Sequence, residues 1–288
     1  MAMASKQLGI KVQEPYWIYP ENETQTEQLE DWLLEYMVGE KSKNFRFPTI
    51  VVVLLSRERS YPDHKLIFDK YQMPSQCITL RNAKSFNASK ASNIIRQMNS
   101  KCRGDLFHMK FPDVVEKAKT MLIGIDVCHA GRQSVVGFAA STNDTMSQYY
   151  SDYLLVPKGQ EIVKDRMKDL IKSAIASFAK SNKGSKPTNF VIFRDGVGDS
   201  MRQQVLEKEI PQFRQAIHDL YNKIDPPHIT VVIVNKRITQ RFFVEDQNGR
   251  LVNPPSGCII DQNLVEEDGT SAKNAGIFDF YLTPANTT

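Results

Sequence analysis

Three carboxylates carry the chemistry that this sequence could perform. Asp126 closes the apolar run Met121-Leu-Ile-Gly-Ile-Asp-Val, and Asp195 closes a second, Phe190-Val-Ile-Phe-Arg-Asp-Gly. Each run reads as a buried strand that delivers an acid at its end. A carboxylate taken out of water needs a partner, and a hard divalent cation is an effective one. Glu161, after Pro157-Lys-Gly-Gln, reads as opening the helix between the two strands. Oxygen ligands gathered around one or two metal ions are the machinery of metal-dependent phosphodiester hydrolysis. Taken singly, Glu161 is as well explained by a helix dipole. Asp195 before Gly196 suits a turn, and His129 is either a ligand or an exposed loop histidine. Asp126, inside an apolar strand, is the hardest of them to explain without a partner.

A second group suits an anion. In Ser60-Tyr-Pro-Asp-His-Lys, Tyr61 and Lys65 stand four apart, on one face of a helix. Pro62 suits the first helical turn, whose unpaired N–H groups favour negative charge. Gln76 opens the next strand and Lys101 ends the next helix. A phenol, two lysines and an amide at one sheet edge could hold a terminal nucleotide phosphate, and the phenol could stack on a base. A Tyr–Lys pair of this spacing is also common on solvated helix faces.

These residues need a frame. Thr49-Ile-Val-Val-Val-Leu-Leu reads as a strand, residues 62–71 as a helix, Gln76-Cys-Ile-Thr-Leu as a second strand, residues 88–99 as a helix with Ala91, Ile94, Ile95 and Met98 on one face, and residues 106–111 as a third strand. Alternating strands and helices predict a parallel, Rossmann-like sheet. From about residue 118 the order changes to three strands, 121–127, 134–140 and 146–156, with hairpin-length connections. A helix over 160–180, a strand over 189–194, a long helix over 199–222 and a strand over 229–235 follow. That order predicts an RNase H-like fold. Residues 1–45 are polar, with one helix near 27–36 whose stripe is Trp32, Leu33 and Tyr36.

The 288 residues, 41% hydrophobic and 24% charged with a net charge of +4, describe an ordinary globular composition, compatible with nucleic acid. Cys77, Cys102, Cys128 and Cys258 form no zinc-type spacing and suggest a reducing compartment, cytoplasmic or nuclear. The longest apolar runs are too short to cross a bilayer, so no membrane partner is expected.

Tyr61, Lys65, Pro74-Ser-Gln-Cys77, Asn82, Asn93 and Lys101 resemble the MID domain of Argonaute/Piwi proteins, and Pro74-Ser-Gln-Cys and Gly104-Asp-Leu-Phe resemble the Piwi branch. Ile123-Gly-Ile-Asp-Val-Cys-His, Gln160-Glu-Ile-Val, Phe193-Arg-Asp-Gly-Val-Gly-Asp, Pro254-Pro-Ser-Gly and Phe278-Asp-Phe-Tyr-Leu resemble the PIWI domain. The resemblance implies an N-terminal segment (1–45), a Rossmann-like MID domain (46–117) and an RNase H-like PIWI domain (118–288). It implies that Tyr61, Lys65, Gln76, Cys77, Gln97 and Lys101 hold the 5′ phosphate of a small guide RNA. Gln97 stands where the Argonaute branch commonly has lysine, so a bound cation is expected to make up the charge. Asp126, Glu161 and Asp195 are then the catalytic residues, with Mg²⁺ (or Mn²⁺) on Asp126 and Asp195, cutting a paired target RNA. The family's fourth ligand, a His or Asp, follows the Phe-Asp-Phe-Tyr-Leu segment. The sequence reaches Thr288 without it, and Asp261 and Asp279 do not match its position. The expectation is therefore a PIWI domain lacking its C-terminal part.

Lys236, Arg237 and Arg241 cluster after the last strand and, with Arg194, are expected to meet nucleic-acid backbone. Two other readings stand beside the RNA-guided nuclease. One is a guide-binding module that recruits silencing proteins without cutting. The other is a resolvase- or transposase-type nuclease, which the Tyr61/Lys65/Gln76 pocket disfavours.

Overall fold

The computed structural model describes residues 2–15, 17, 29–31, 33–34, 48–106, 110–163, 165–221, 226–236, 238–265 and 278–284. The chain divides into two compact units, Met1–Asn235 and Lys236–Thr288.

In the first unit, helix α1 (Ala2–Leu8) precedes strand β1 (Val51–Leu55), helix α2 (Tyr61–Lys70), strand β2 (Ser75–Thr79), a short helix α3 (Leu80–Lys84) and helix α4 (Ala88–Lys101). β1 and β2 pair in parallel, Val51 opposite Ser75 through Leu55 opposite Thr79, as alternating strands and helices predict. Side chains satisfy the first free amides of the following helices: Thr79 accepts from Asn82 N–H and Asn87 from Lys90 N–H. On α4, Ala91 and Ile95 are buried. The third strand expected over 106–111 is not formed at its described residues, and among the described residues the sheet is two-stranded.

The N-terminal segment is more structured than its polar composition suggests. Leu8 and Ile10 pack against Ala91 and Ile95, and Leu33 is buried with Ile67, Phe68 and Met73. Glu30 accepts hydrogen bonds from Lys70 Nζ (2.5 Å) and Tyr71 Oη (2.9 Å). Trp32 and Tyr36, the other members of the expected stripe, lie outside the described residues.

After the short helix α5 (Asp113–Glu116) come β3 (Thr120–Ala130), β4 (Gln133–Ser141), β5 (Tyr149–Pro157), α6 (Met167–Ser181), β6 (Asn189–Asp195), α7 (Ile210–Leu220) and β7 (His228–Val234). The strand order is β5-β4-β3-β6-β7, with β3, β4 and β5 antiparallel and β3, β6 and β7 parallel. This is the order expected of an RNase H-like sheet. β3 turns into β4 through Gly131-Arg132, with Gly131 at φ +66°, a backbone that a two-residue hairpin often requires.

Alternation along the strands sends Met121, Ile123, Ile125, Val136, Phe138, Phe190 and Ile192 to one face, where α6 and α7 cover them with Ile171, Ile175, Phe178, Phe213 and Ala216. The opposite face carries Asp126 and the exposed Phe193, Tyr153 and Leu155. Acids and core residues therefore alternate on the same strands, and the pairing register decides which face receives the carboxylate.

The long helix expected over 199–222 is broken. A 3-10 turn (Asp199–Met201), one α-turn (Arg202–Gln204) and a π-turn (Val205–Glu209) precede α7. Pro211 has no N–H to offer residue 207, and the chain before it takes the wider turn.

The second unit holds two small antiparallel pairs, β8 (Val244–Glu245) with β9 (Leu251–Val252) and β10 (Ile259–Ile260) with β11 (Tyr281–Leu282). Phe242 packs on Tyr281 at a ring separation of 4.9 Å.

Candidate functional site

Two groups of polar side chains gather in the first unit. The first surrounds the start of β2. Lys65 Nζ donates to Ser75 Oγ (2.7 Å) and to the Ser75 carbonyl (3.3 Å), and Lys101 Nζ donates to the same carbonyl (2.8 Å) and to Gln76 Oε1 (2.8 Å). Gln76 Nε2 in turn donates to Gln97 Oε1 (3.1 Å) and the Cys77 carbonyl (3.1 Å). Ser75 and Gln76 are buried. Two ammonium groups thus share one carbonyl oxygen, with no carboxylate among their hydrogen-bond partners in this group.

Burial, and after it the nearby Lys65, lowers the Lys101 pKa below the ordinary lysine value. Burial raises the Cys77 thiol, against the opposing pull of Lys65 and Lys101. Lys65, Gln76, Gln97 and Lys101 are therefore linked around Ser75, with Cys77 beside them. Tyr61 opens α2 four residues before Lys65 and is 48% exposed.

The second group lies where the pairing of β3 with β6 ends; β3 itself runs on to Ala130, so Asp126 stands inside the strand rather than at the end expected for it. Ile125 and Arg194 are the last paired residues of these parallel strands, so Asp126 and Asp195 follow at adjacent positions, on the face opposite the core. Between Asp126 and Glu161 lies Gly196, at φ +80°. A methyl group on its Cα would stand 3.3 Å from Glu161 Oε1 and 3.7 Å from Asp126 Oδ1. Two carboxylates of distant sequence thus approach the same point. Asp195 Oδ1 accepts the Gly196 N–H (2.9 Å).

Glu161 does not open a helix. It lies on an irregular segment, and α6 begins only at Met167, after Arg166 in the left-handed region at φ +66°. Side chains from other elements take the backbone groups that a helix would have used. Val163 N–H donates to Glu209 Oε1 (2.9 Å), and Met167 N–H to Gln212 Oε1 (3.0 Å). A helix dipole therefore does not account for Glu161.

Arg194 and His129 account for its position. Arg194 Nη1 donates to Glu161 Oε1 (3.1 Å) and Nη2 to the Glu161 carbonyl (2.7 Å), while His129 Nε2 lies 3.1 Å from Oε2. His129 belongs to β3 rather than to a loop, and its Nδ1 meets Ser134 Oγ (2.7 Å) on β4. Arg194, expected on a nucleic-acid face, is 0% exposed. It bonds Glu209 through Nε (3.0 Å) and Nη2 (3.2 Å), and Glu209 is itself only 1% exposed. An arginine inside an apolar strand demands a buried acid, and that demand is the signal in Phe190-Val-Ile-Phe-Arg. Nothing in the sequence alone selects Glu209 over the exposed Glu207.

Residues 49–284 match the Piwi domain family. The chain belongs to that family. It is 34% identical over 226 residues to Piwi-like protein 1 of Danio rerio, a match covering 76% of this chain and 25% of the relative. The chain spans about a quarter of the length of the curated relatives it matches first. Among solved structures, the MID-PIWI domains of N. crassa QDE-2 align at a TM-score of 0.67 and 25% identity, over 81% of this chain and 66% of that one. Kluyveromyces polysporus Argonaute, solved with a guide RNA, aligns at 0.72 and 22% identity over 91% and 32%, a likeness of fold.

In this Piwi-family chain the basic residues after β7 belong to the second unit. Lys236 and Arg241 are exposed, and Arg241 Nη1 donates to the carbonyls of Ile238 and Gln240 (2.9 Å each). Arg237 lies outside the described residues. No group of three or more His, Cys, Asp or Glu stands close enough to hold a metal ion among the described residues. The donors are nevertheless of the right kind. Mg²⁺ commonly binds one or two carboxylates and completes its shell with water and substrate phosphate, and the approach of Asp126 and Glu161 beside Asp195 fits that requirement. All four cysteines are free, and no helix of the described residues is long and apolar enough to cross a membrane.

Proposed function

We propose that this chain binds the 5′ end of a small guide RNA and supplies carboxylates that cut a paired target RNA. The observation that carries the reading is the convergence of Asp126 and Glu161 oxygens beside Gly196, in the same compact unit as the two-lysine group at Ser75. Lys65, Gln76 and Lys101 would take the guide's terminal phosphate, with Gln97 and Cys77 beside them and Tyr61 available for the first base. Their donors already converge with no carboxylate hydrogen-bonded to either lysine, which favours an incoming anion. Gln97 brings an amide and no charge, so a cation bound with the phosphate strengthens the pocket. Lys236, Arg237 and Arg241 would follow the nucleic-acid backbone without reading sequence.

At the second site Asp126 and Asp195 would hold Mg²⁺ or Mn²⁺. When bound, such an ion supplies Lewis acidity at the phosphate and an acidified water. Glu161, oriented by Arg194 and His129, presents its carboxylate toward the same point. Domain limits of 46–117 for the guide-binding part and 118–288 for the catalytic part, and a cytoplasmic or nuclear location, belong to the same proposal.

A guide-binding role with recruited silencing proteins is favoured by one observation: both Glu161 oxygens already have partners in His129 and Arg194. Cleavage of labelled RNA paired to a 5′-phosphorylated guide separates the two readings. The nuclease reading expects Mn²⁺-dependent cleavage that Asp126→Ala abolishes while guide affinity is kept. Guide binding without cleavage by the unsubstituted protein would leave the recruiting role. Affinity for 5′-phosphorylated RNA should rise when Mg²⁺ is added, and an unchanged affinity rejects the cation in the pocket.

A further inference from the structure

We infer that Glu209 and Gln212 are positioning residues, holding the segment that carries Glu161 so that its carboxylate stays beside Asp126. The inference rests on the reading of Asp126 and Asp195 as metal ligands with Glu161 presented toward the same ion. Neither residue touches that site. Glu209 ends the π-turn Val205–Glu209, and Gln212 lies on the first turn of α7.

Both bond that segment directly, Glu209 also through Arg194, while Gln212 in addition donates to the Lys208 carbonyl (2.9 Å). Glu209 Oε1 accepts the Val163 N–H (2.9 Å), and its two oxygens accept Arg194 Nη2 (3.2 Å) and Nε (3.0 Å). Arg194 then spends its remaining donors on the Glu161 carbonyl, Glu161 Oε1 and the Asp195 carbonyl (2.5 Å). Gln212 grips from both sides, donating to the Val163 carbonyl (2.7 Å) and accepting from Met167 N–H (3.0 Å). The segment from Glu161 to Met167 therefore hangs on two side chains of one helical stretch.

An apolar pair could fill the space of a buried Arg–Glu pair without loss of stability. It could not fix a guanidinium against both the backbone and the side chain of Glu161. π-turns recur where a helix must re-aim a side chain at a working site, and here the turn delivers Glu209 to the interior. The geometry thus relates a buried acid to the one carboxylate of the site that no regular element carries.

The test compares the full chain with Gln212→Ala and Glu209→Gln, and with Glu207→Gln as a control on the exposed side of the same turn. Gln212→Ala leaves the buried pair intact and so keeps the fold. Hydrogen exchange at Val163 and Met167 is measured together with Mn²⁺ binding by electron paramagnetic resonance. The expected result is exchange at least about tenfold faster at both amides, weaker Mn²⁺ binding in both variants, and no change at Phe190, Ile192 or in Glu207→Gln. Faster exchange with unchanged Mn²⁺ affinity would make the clamp purely structural and overturn the inference. Unchanged exchange overturns it as well. An unsubstituted protein that binds no Mn²⁺ removes the metal reading itself, and this inference with it.

Discussion

The two candidate sites are charged in opposite ways and built on opposite principles. Around Ser75, two lysines donate to one carbonyl, and the Gln76 and Gln97 amides extend the chain of hydrogen bonds from Lys101. Around Glu161, the carboxylate is held by Arg194 and His129, and Arg194 by the buried Glu209. The first arrangement is the one proposed to take a ligand. The second is part of the fold before any ligand arrives. Loss of a charge should therefore cost binding at the first site and stability at the second.

The largest effect tests that division directly. Arg194→Ala leaves Glu209 buried without its partner, and removal of one member of a buried pair costs about 3–5 kcal/mol. Chemical denaturation should show the loss, and a variant of unchanged midpoint would mean that Glu209 is otherwise satisfied. At the other site Lys101→Met should move the midpoint by less than about 1 kcal/mol, because it removes a desolvated charge facing Lys65. Its cost should appear in the affinity for 5′-phosphorylated RNA, by about 1.5–3 kcal/mol, the range for a hydrogen bond to a charged group. A 5′-hydroxyl RNA should lose no affinity from the same substitution. An equal loss for both RNAs would remove Lys101 from the phosphate pocket.

Gly196→Ala gives an intermediate effect that bears on the second site alone. At φ +80° a side chain is strained, by about 1–2 kcal/mol for a residue forced into the left-handed region. Its methyl group would also crowd Glu161 Oε1. Denaturation should show a loss of that order, and Mn²⁺ binding should weaken alongside it. Crowding at this point makes no demand on the lysine group, so phosphate-dependent RNA affinity should stay unchanged.

The same contrast explains which parts were legible in the sequence. The strand order and the placement of Asp126 and Asp195 on strands follow from short continuous apolar runs with hairpin-length gaps, signals that local sequence carries well. Lys65 and Lys101 end up together because helix spacing and the parallel β-α-β frame put them there. Glu161 lies off the helix that its local sequence suggests because its segment is set by Glu209 and Gln212, more than forty positions away in the chain. Such distant side-chain bonds have no period. The π-turn escaped for a related reason: Pro211 reads as an ordinary first-turn proline unless the preceding turn is known. The N-terminal helix Ala2–Leu8 carries no clear signal in its own seven residues because it is stabilised by docking against α4.

The smallest effect is a pH dependence confined to the lysine site. Burial, and after it Lys65, lowers the Lys101 pKa in the folded chain, whereas the unfolded chain returns it to about 10.5. Between these values the unfolded chain holds more protons, so folding stability contributed by Lys101 rises as pH increases through that window. Lys101 is partly solvated, and solvent screening keeps this contribution small. Phosphate binding has the opposite slope. An anion favours the ammonium form, so affinity is full below the lowered value and falls as Lys101 deprotonates. Parallel titrations of unfolding midpoint and of 5′-phosphorylated RNA affinity should thus diverge on the alkaline side, and Lys101→Met should flatten both. If the two curves fell together, the loss would come from unfolding, and the ligand-poised character assigned to the Ser75 group would go with it.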